Sequence, residues 1–148
     1  QIPNITVSIG IGDVYEGIEG LKRSYIEAFK ALNIGKNVFG DNQITRYNEL
    51  GIFRVIEKLR NDPDLIEFYE EKIGPLVKET KNKDLLLTIK SVINNFGNKS
   101  AAAEELCIHR NTLNYRIKKI ENILDINLDN PENYLNIFLA LKIKKLIQ

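Results

Sequence analysis

One stretch constrains this chain more than any other: Asn98-Lys-Ser-Ala-Ala-Ala-Glu-Glu-Leu-Cys-Ile-His-Arg-Asn-Thr-Leu-Asn-Tyr-Arg-Ile-Lys-Lys-Ile120. It predicts a short helix, a tight turn and a second helix. Asn98 suits an N-cap, because its side-chain oxygen can accept a bond from an orphan amide of the first turn. Ala101, Ala102 and Ala103 are strong helix formers, small enough to let another helix cross closely. The turn falls at Cys107, between Leu106 and Ile108. Beyond it, Leu113, Ile117, Ile120 and Leu124 recur at steps of four, three and four, which makes one apolar stripe. At about 100° per residue, Asn111, Asn114, Tyr115, Lys118 and Lys119 fall on the side away from that stripe.

That opposite face carries the chemistry. Asn can bond an adenine edge bidentately, and Arg or Lys can bond guanine or phosphate. From His109 to Ile120 the chain has Arg110, Arg116, Lys118 and Lys119 and no acid. A helix start at His109-Arg110-Asn111 suits a backbone phosphate. A basic amphipathic helix alone is most simply a solvated face. The alanine-rich helix one turn before it makes a helix-turn-helix the better reading. On that reading Asn111, Asn114 and Tyr115 reach base edges of double-stranded DNA. Lys99, His109, Arg110, Arg116, Lys118 and Lys119 hold its phosphates. Arg116 also sits near the stripe, where it has a second role open to it: bracing the domain through an acid such as Glu121.

The run from Leu106 to Glu121, followed by Leu128-Asp-Asn-Pro131, resembles the C-terminal helix-turn-helix of the PucR/CdaR-type regulators. His109-Arg-Asn-Thr-Leu113 with Tyr115-Arg116 is the core of that signature. Gly97-Asn98 through Thr112-Leu113 also resembles the DNA-binding end of the Fis protein. Cys107 stands where many such turns carry glycine; a non-glycine residue at positive φ costs on the order of 1 kcal/mol. The resemblance implies a bacterial transcription factor that activates a catabolic operon, of the sugar-diacid or purine type.

Net charge is only +1, so affinity for nucleic acid has to come from local clustering, as on the second motif helix. Hydrophobic content of 43% and charged content of 28% are ordinary for a soluble globular chain of one or two domains. The single cysteine cannot form an internal disulfide, which fits a reducing cytoplasm. One histidine and one cysteine leave no zinc site of the usual ligand count. No run approaches a membrane span, so no membrane partner is expected. The chain starts at Gln1 and lacks methionine, and reads as a piece of a longer protein whose N-terminal region would bind a small-molecule effector.

Before the motif, Ile5, Val7, Ile9 and Ile11 alternate with small or polar residues and predict a strand with one buried face. Gly10-Ile-Gly12-Asp13 is too short for a phosphate loop and has no lysine at the required spacing. Leu21, Tyr25, Ala28, Phe29 and Leu32 predict a helix from Gly20 to Gly35, with Ser24, Ala28 and Ala31 as small packing positions. Asn33-Ile34-Gly35 is its expected stop, and Gln43–Tyr47 a second strand that pairs with the first or with another copy. Val7-Ser8-Ile9-Gly10, Ser24-Tyr25, Glu27-Ala28, Ala31-Leu32 and Gly35-Lys36 resemble the closing part of a degenerate GGDEF-like domain. The catalytic GGDEF loop is absent from this sequence, so no cyclase activity or cofactor is assigned.

From Asn48 the pattern turns helical. Ile52, Phe53, Ile56 and Leu59 form one stripe; Asp62-Pro63 opens a helix with Leu65, Phe68, Tyr69 and Ile73 inward, broken at Gly74-Pro75. Asp84 is the expected cap of a helix with Leu85, Leu86, Ile89, Val92, Ile93 and Phe96 inward, the third helix of the motif's core. Asp129-Asn130-Pro131 opens a last helix with Tyr134, Leu135, Phe138, Leu141 and Leu146 as its stripe, suited to burial or to a dimer seam. The adjacent acids Glu104-Glu105 and Glu70-Glu71 do not converge on one face, and Cys107 with His109 lacks an orienting partner, so no catalytic site is read.

The fold expected is mainly α, α+β overall. Residues 1–47 form a strand-helix-strand remnant of a GGDEF-like domain, and residues 48–148 a helical domain with a Fis-like helix-turn-helix. Two functions compete. In one, the chain is the sequence-specific DNA-binding output of a regulator, acting as a homodimer. In the other, it is a regulatory or dimerisation module whose cyclase-like remnant binds a nucleotide or metabolite.

Overall fold

A computed structural model describes residues 5–78 and 80–147, so the first four residues of the expected remnant lie outside the described residues. The architecture is mainly α, with a two-stranded sheet near the start. The described residues divide into two compact units, residues 5–62 with 143–147, and residues 63–142.

In the first unit, β1 (Ile9–Ile11) and β2 (Ile44–Arg46) pair in parallel, with Ile9 opposite Ile44 and Ile11 opposite Arg46. Parallel partners need a long crossover, which is α1 (Gly17–Phe39). Gly10 and Gly12 turn out to be packing residues. A Cβ at Gly10 would strike the Ala28 carbonyl and Leu32, and one at Gly12 the Ser24 carbonyl, so α1 lies directly on the strand. Gly35 does the same against Thr45 of β2, and this contact explains why α1 does not stop there. The helix runs four residues further, to Gly40 at φ 90°, whose amide reaches the Lys36 carbonyl at 3.0 Å.

The face of α1 that is buried also differs from the expected one. Ala31, Ile34 and Val38 are inside, while Leu21, Tyr25 and Phe29 are exposed. Ile5, Val7 and Ile9 are exposed as well, so the strand expected from Ile5 is short and its apolar face open. After β2, Tyr47–Leu50 makes a tight 3-10 turn, and α2 (Phe53–Ile56) continues into another over Glu57–Leu59. Phe53 and Ile56 are buried; Ile52 and Leu59 are not.

Among the described residues of this unit, Glu27 is the deeply buried carboxylate. It accepts bonds from the Asp13 amide (3.2 Å), the Tyr15 hydroxyl (2.8 Å) and Arg23 Nε (3.2 Å). Burial raises its pKa, but these three donors more than offset that and hold it below the usual carboxylate range.

The second unit is helical. α3 (Pro63–Val77) passes through Gly74-Pro75 without breaking, so the expected interruption is absent. Proline forfeits a single backbone bond there, two residues before the helix ends, and the Gly74 carbonyl still accepts the Lys78 amide at 3.0 Å. Asp84 is not a cap. α4 (Lys83–Asn94) begins after Asn82, and Asp84 lies in its first turn, where a carboxylate favours the helix dipole. Leu85, Ile89, Val92 and Ile93 are buried as expected. Phe96 is 91% exposed, because the chain has already left the helix at φ 52°.

α4 packs across α5 (Lys99–Glu105) and α6 (Arg110–Leu124), supplying the third helix of the core, and α3 packs on α4 and α6. In α7 (Pro131–Ile147) Asn130 caps the first turn through the amides of Glu132 and Asn133. Of its expected stripe Leu141 and Leu146 are buried and Tyr134 and Phe138 half-buried, Leu135 is exposed, and Ile137, Ala140 and Ile143 are buried beside them.

Candidate nucleic-acid interface

The site is built from α5, α6 and the turn between them. Asn98 Oδ1 accepts the amides of Ser100 and Ala101, both at 3.1 Å, and starts α5 where the sequence indicates. Ala102 and Ala103 are buried, so α5 lies close to its neighbours. Ser91 of α4 donates to Glu105 at 2.7 Å, and Asn95 also bonds that carboxylate, so Glu105 is pinned to α4 rather than freely solvated.

Cys107 takes φ 52°, so the turn does enter the left-handed region at the cost of about 1 kcal/mol. The bend is closed by the Cys107 amide on the Glu104 carbonyl and the Ile108 amide on the Ala103 carbonyl, each at 3.0 Å. These bonds satisfy the carbonyls that end α5 and offset the strain.

His109 then caps α6. Its Nδ1 accepts the Asn111 amide at 3.2 Å. An imidazole that accepts at Nδ1 carries its proton on Nε2, which leaves Nε2–H as a donor at the mouth of the helix. Leu113, Ile117 and Ile120 are buried, as their spacing predicts.

Asn111, Tyr115, Lys118 and Lys119 are all exposed on the opposite side, and Arg110 is exposed at the first turn. Asn114 is half-buried. It lines a recess on the flank of α6 with Lys99, Lys118, Glu121 and Asp129. Lys99 Nζ lies 3.5 Å from Asp129 Oδ1, an exposed and therefore weak pair.

Arg116 is already paired within the protein. Its Nη2 donates to Asp84 Oδ2 at 2.9 Å, and its side chain is only 22% exposed. It ties α6 to the first turn of α4, and its acid is Asp84 rather than Glu121. Glu121 instead accepts the Leu128 amide at 2.9 Å and holds the connector to α7. Two exposed residues escaped the sequence reading: Thr112 and Asn122. Asn122 follows Lys118 by one helical turn and Tyr115 by two, so helical spacing alone would have placed it on the same face.

This geometry defines a class, a helix-turn-helix domain that binds DNA. Residues 85–143 match the PucR C-terminal helix-turn-helix domain, and residues 1–34 match the GGDEF-like domain. Residues 85–143 are thus a helix-turn-helix domain of the kind that ends the PucR-type regulators, a DNA-binding regulatory output domain.

Among curated relatives, it is 34% identical to the proline-responsive transcriptional activator PutR of Bacillus subtilis (strain 168), over 94% of this chain and 34% of that protein. It is 29% identical to the purine catabolism regulatory protein of the same organism, over 96% of this chain and 27% of the relative. To the carbohydrate diacid regulator of Escherichia coli (strain K12) it is 25% identical, over 91% and 35%. The chain therefore spans about a third of the length of these relatives, which are named as regulators rather than as enzymes. Among the described residues no helix is long and apolar enough to cross a membrane.

Proposed function

We propose that this chain is the sequence-specific, double-stranded-DNA-binding output part of a cytoplasmic transcriptional activator of a catabolic operon, and that it performs no catalysis. The observation that carries this reading is the outer face of α6. Amide, phenol and ammonium groups stand exposed there, opposite a fully buried stripe and with no acid among them. Asn111 and Tyr115 read base edges, with Asn114 at the margin of the contact. Lys118, Lys119 and Arg110 hold phosphates; His109 adds its Nε2–H and Lys99 its ammonium from the start of α5. Arg116 acts by keeping α6 at a fixed angle on α4.

The chain's division into a GGDEF-like remnant and a helical DNA-binding domain fits an output module governed by another region. A small-molecule effector bound N-terminal to this chain would set its activity, as the relatives named for proline, purine and carbohydrate-diacid regulation favour. One recognition helix reads too few base pairs for genomic specificity, so the active form is a homodimer on a pair of half-sites.

Selection from random duplex DNA at two salt concentrations tests the reading. The expected product is an inverted repeat with half-sites about one helical turn apart. Asn111→Ala should relax the preference at one base pair by about 1–3 kcal/mol. Lys118→Ala should weaken binding to every sequence and lower the salt slope by about one. No binding at low salt would remove the DNA-binding role from α6.

A further inference from the structure

In the first unit, α1 and the segment after β2 border an open cleft of about 440 Å³ that the DNA-binding reading leaves unused. Lys22 and Lys30 enter it from α1, Arg54 and Lys58 from α2 and the turn that follows, and Ile26 and Tyr47 provide apolar wall. Of the acids nearby, Glu27 is spent on Asp13, Tyr15 and Arg23. Glu57, in the adjoining recess, has one oxygen 3.8 Å from Arg60 Nη1 and the other without a hydrogen-bond partner. Glu19 is exposed at the rim. Lys22, Lys30 and Lys58 have no acidic partner among the described residues.

Arg54 is held in a particular way: its guanidinium lies over the Tyr47 ring, 4.2 Å from the centroid. A guanidinium held over a ring can still turn its N–H groups toward an oxyanion and make two bonds to it.

We propose that this cleft binds a small organic phosphate. The Arg54 fork takes two phosphate oxygens, Lys30 and Lys58 neutralise the charge from opposite walls, and Ile26 with Tyr47 covers the apolar part of the molecule. Like charges gathered in a concave site repel one another and raise the local anion concentration, so a dianion gains most by entering there. The volume lies within the range of small-molecule pockets, about 300–1,000 Å³. The site is separate from the α6 face, so it stands or falls independently of the DNA-binding reading.

Calorimetric titration of the whole chain with adenosine diphosphate, and in parallel with inorganic pyrophosphate, tests the proposal. Saturable binding is expected, tighter for the nucleotide than for pyrophosphate. Lys30→Ala and Arg54→Ala should each weaken it by about tenfold or more, with Arg54→Lys recovering only part because the ammonium cannot fork. Lys118→Ala on α6 should leave nucleotide affinity unchanged.

Three results would overturn the proposal: no saturable binding of either probe, equal affinity for both, or affinity unmoved in Lys30→Ala. If Lys30→Ala and Arg54→Ala instead lowered affinity for duplex DNA, the cleft would be a DNA-backbone contact and the proposal would fail. Lys30 is exposed, so its variant should fold even if the stacked Arg54 proves structural.

Discussion

The two units treat the same kind of sequence pattern in opposite ways. Both α1 and α6 carry apolar residues at helical spacing. In α6 the stripe closes: Leu113 and Ile120 are fully buried against α3, α4 and α5. In α1 the stripe of Leu21, Tyr25 and Phe29 stays open, with Leu21 72% exposed. What α1 buries instead are small or short residues, Gly20, Ala31 and Gly35 among them, with Ile34 and Val38. Spacing identifies an apolar face, whereas coverage depends on whether the fold supplies a neighbour. Three crossing helices complete their own core; one helix on two strands leaves a side over.

The largest effect that would test this contrast lies in α6. Leu113→Ala should cost about 2–5 kcal/mol, because a fully buried leucine leaves a cavity that close-packed helices cannot collapse. Thermal unfolding would read this directly, and DNA affinity should fall with it. A loss under about 1 kcal/mol would mean that the core of the second unit is looser than its burial implies.

Next in size is Glu27, the polar centre of the first unit. Glu27→Gln should cost about 1–3 kcal/mol, since the charge that holds Tyr15, Arg23 and the Asp13 amide together is lost. The sign with pH follows from its lowered pKa. The unfolded chain binds the Glu27 proton at higher pH than the folded chain does. The stabilisation is therefore complete above the ordinary glutamate range and fades as pH falls through the depressed folded value. Unfolding measured across acid pH should show a shallower decline for Glu27→Gln; parallel curves would argue against this role.

The same contrast explains what could be read from the sequence. The cap at Asn98, the helix opening at Asp129-Asn130-Pro131, the bend at Cys107 and the buried Leu113-Ile117-Ile120 stripe are set by neighbours within a few residues, and all were legible. Misread features depend on distant partners. Gly35 does not end α1 because Thr45 packs where a side chain would be. Asp84 falls inside the first turn of α4 rather than before it, and its carboxylate meets Arg116, 32 residues away. In α7 only Leu135 of the expected stripe stands exposed, while Ile137 and Ala140 are buried in addition, because the helix is apolar on several sides. In the candidate site, the exposure of Asn111, Tyr115, Lys118 and Lys119 was legible from local spacing, as was a bracing position for Arg116, but its partner Asp84 was not.

Arg116 gives the next smaller prediction. Its pair with Asp84 joins two helices at a partly exposed position, so Arg116→Ala should cost about 0.2–1 kcal/mol, and a double-mutant cycle with Asp84→Ala should recover that coupling. If the residue braces α6, the salt slope of DNA binding should be unchanged. A slope lowered by about one would return Arg116 to the phosphate contacts.

The smallest expected effect would sharpen the comparison most. Leu21 occupies α1 as Leu113 occupies α6, at one position of an apolar stripe, yet it stands in solvent. Leu21→Gln should therefore change the stability of this chain by no more than about 0.5 kcal/mol, against several for the equally apolar Leu113. Glutamine is as good a helix former as leucine, so the substitution tests coverage and not propensity. The exposed stripe also makes a clear prediction for association. Ile18, Leu21, Tyr25 and Phe29 follow one another along one side of α1, a patch of the kind that drives sticking between molecules. Sedimentation velocity at rising concentration should show less self-association for Leu21→Gln than for the parent chain. A stability loss above about 1 kcal/mol would mean that Leu21 is covered after all, and the difference between the two units would disappear.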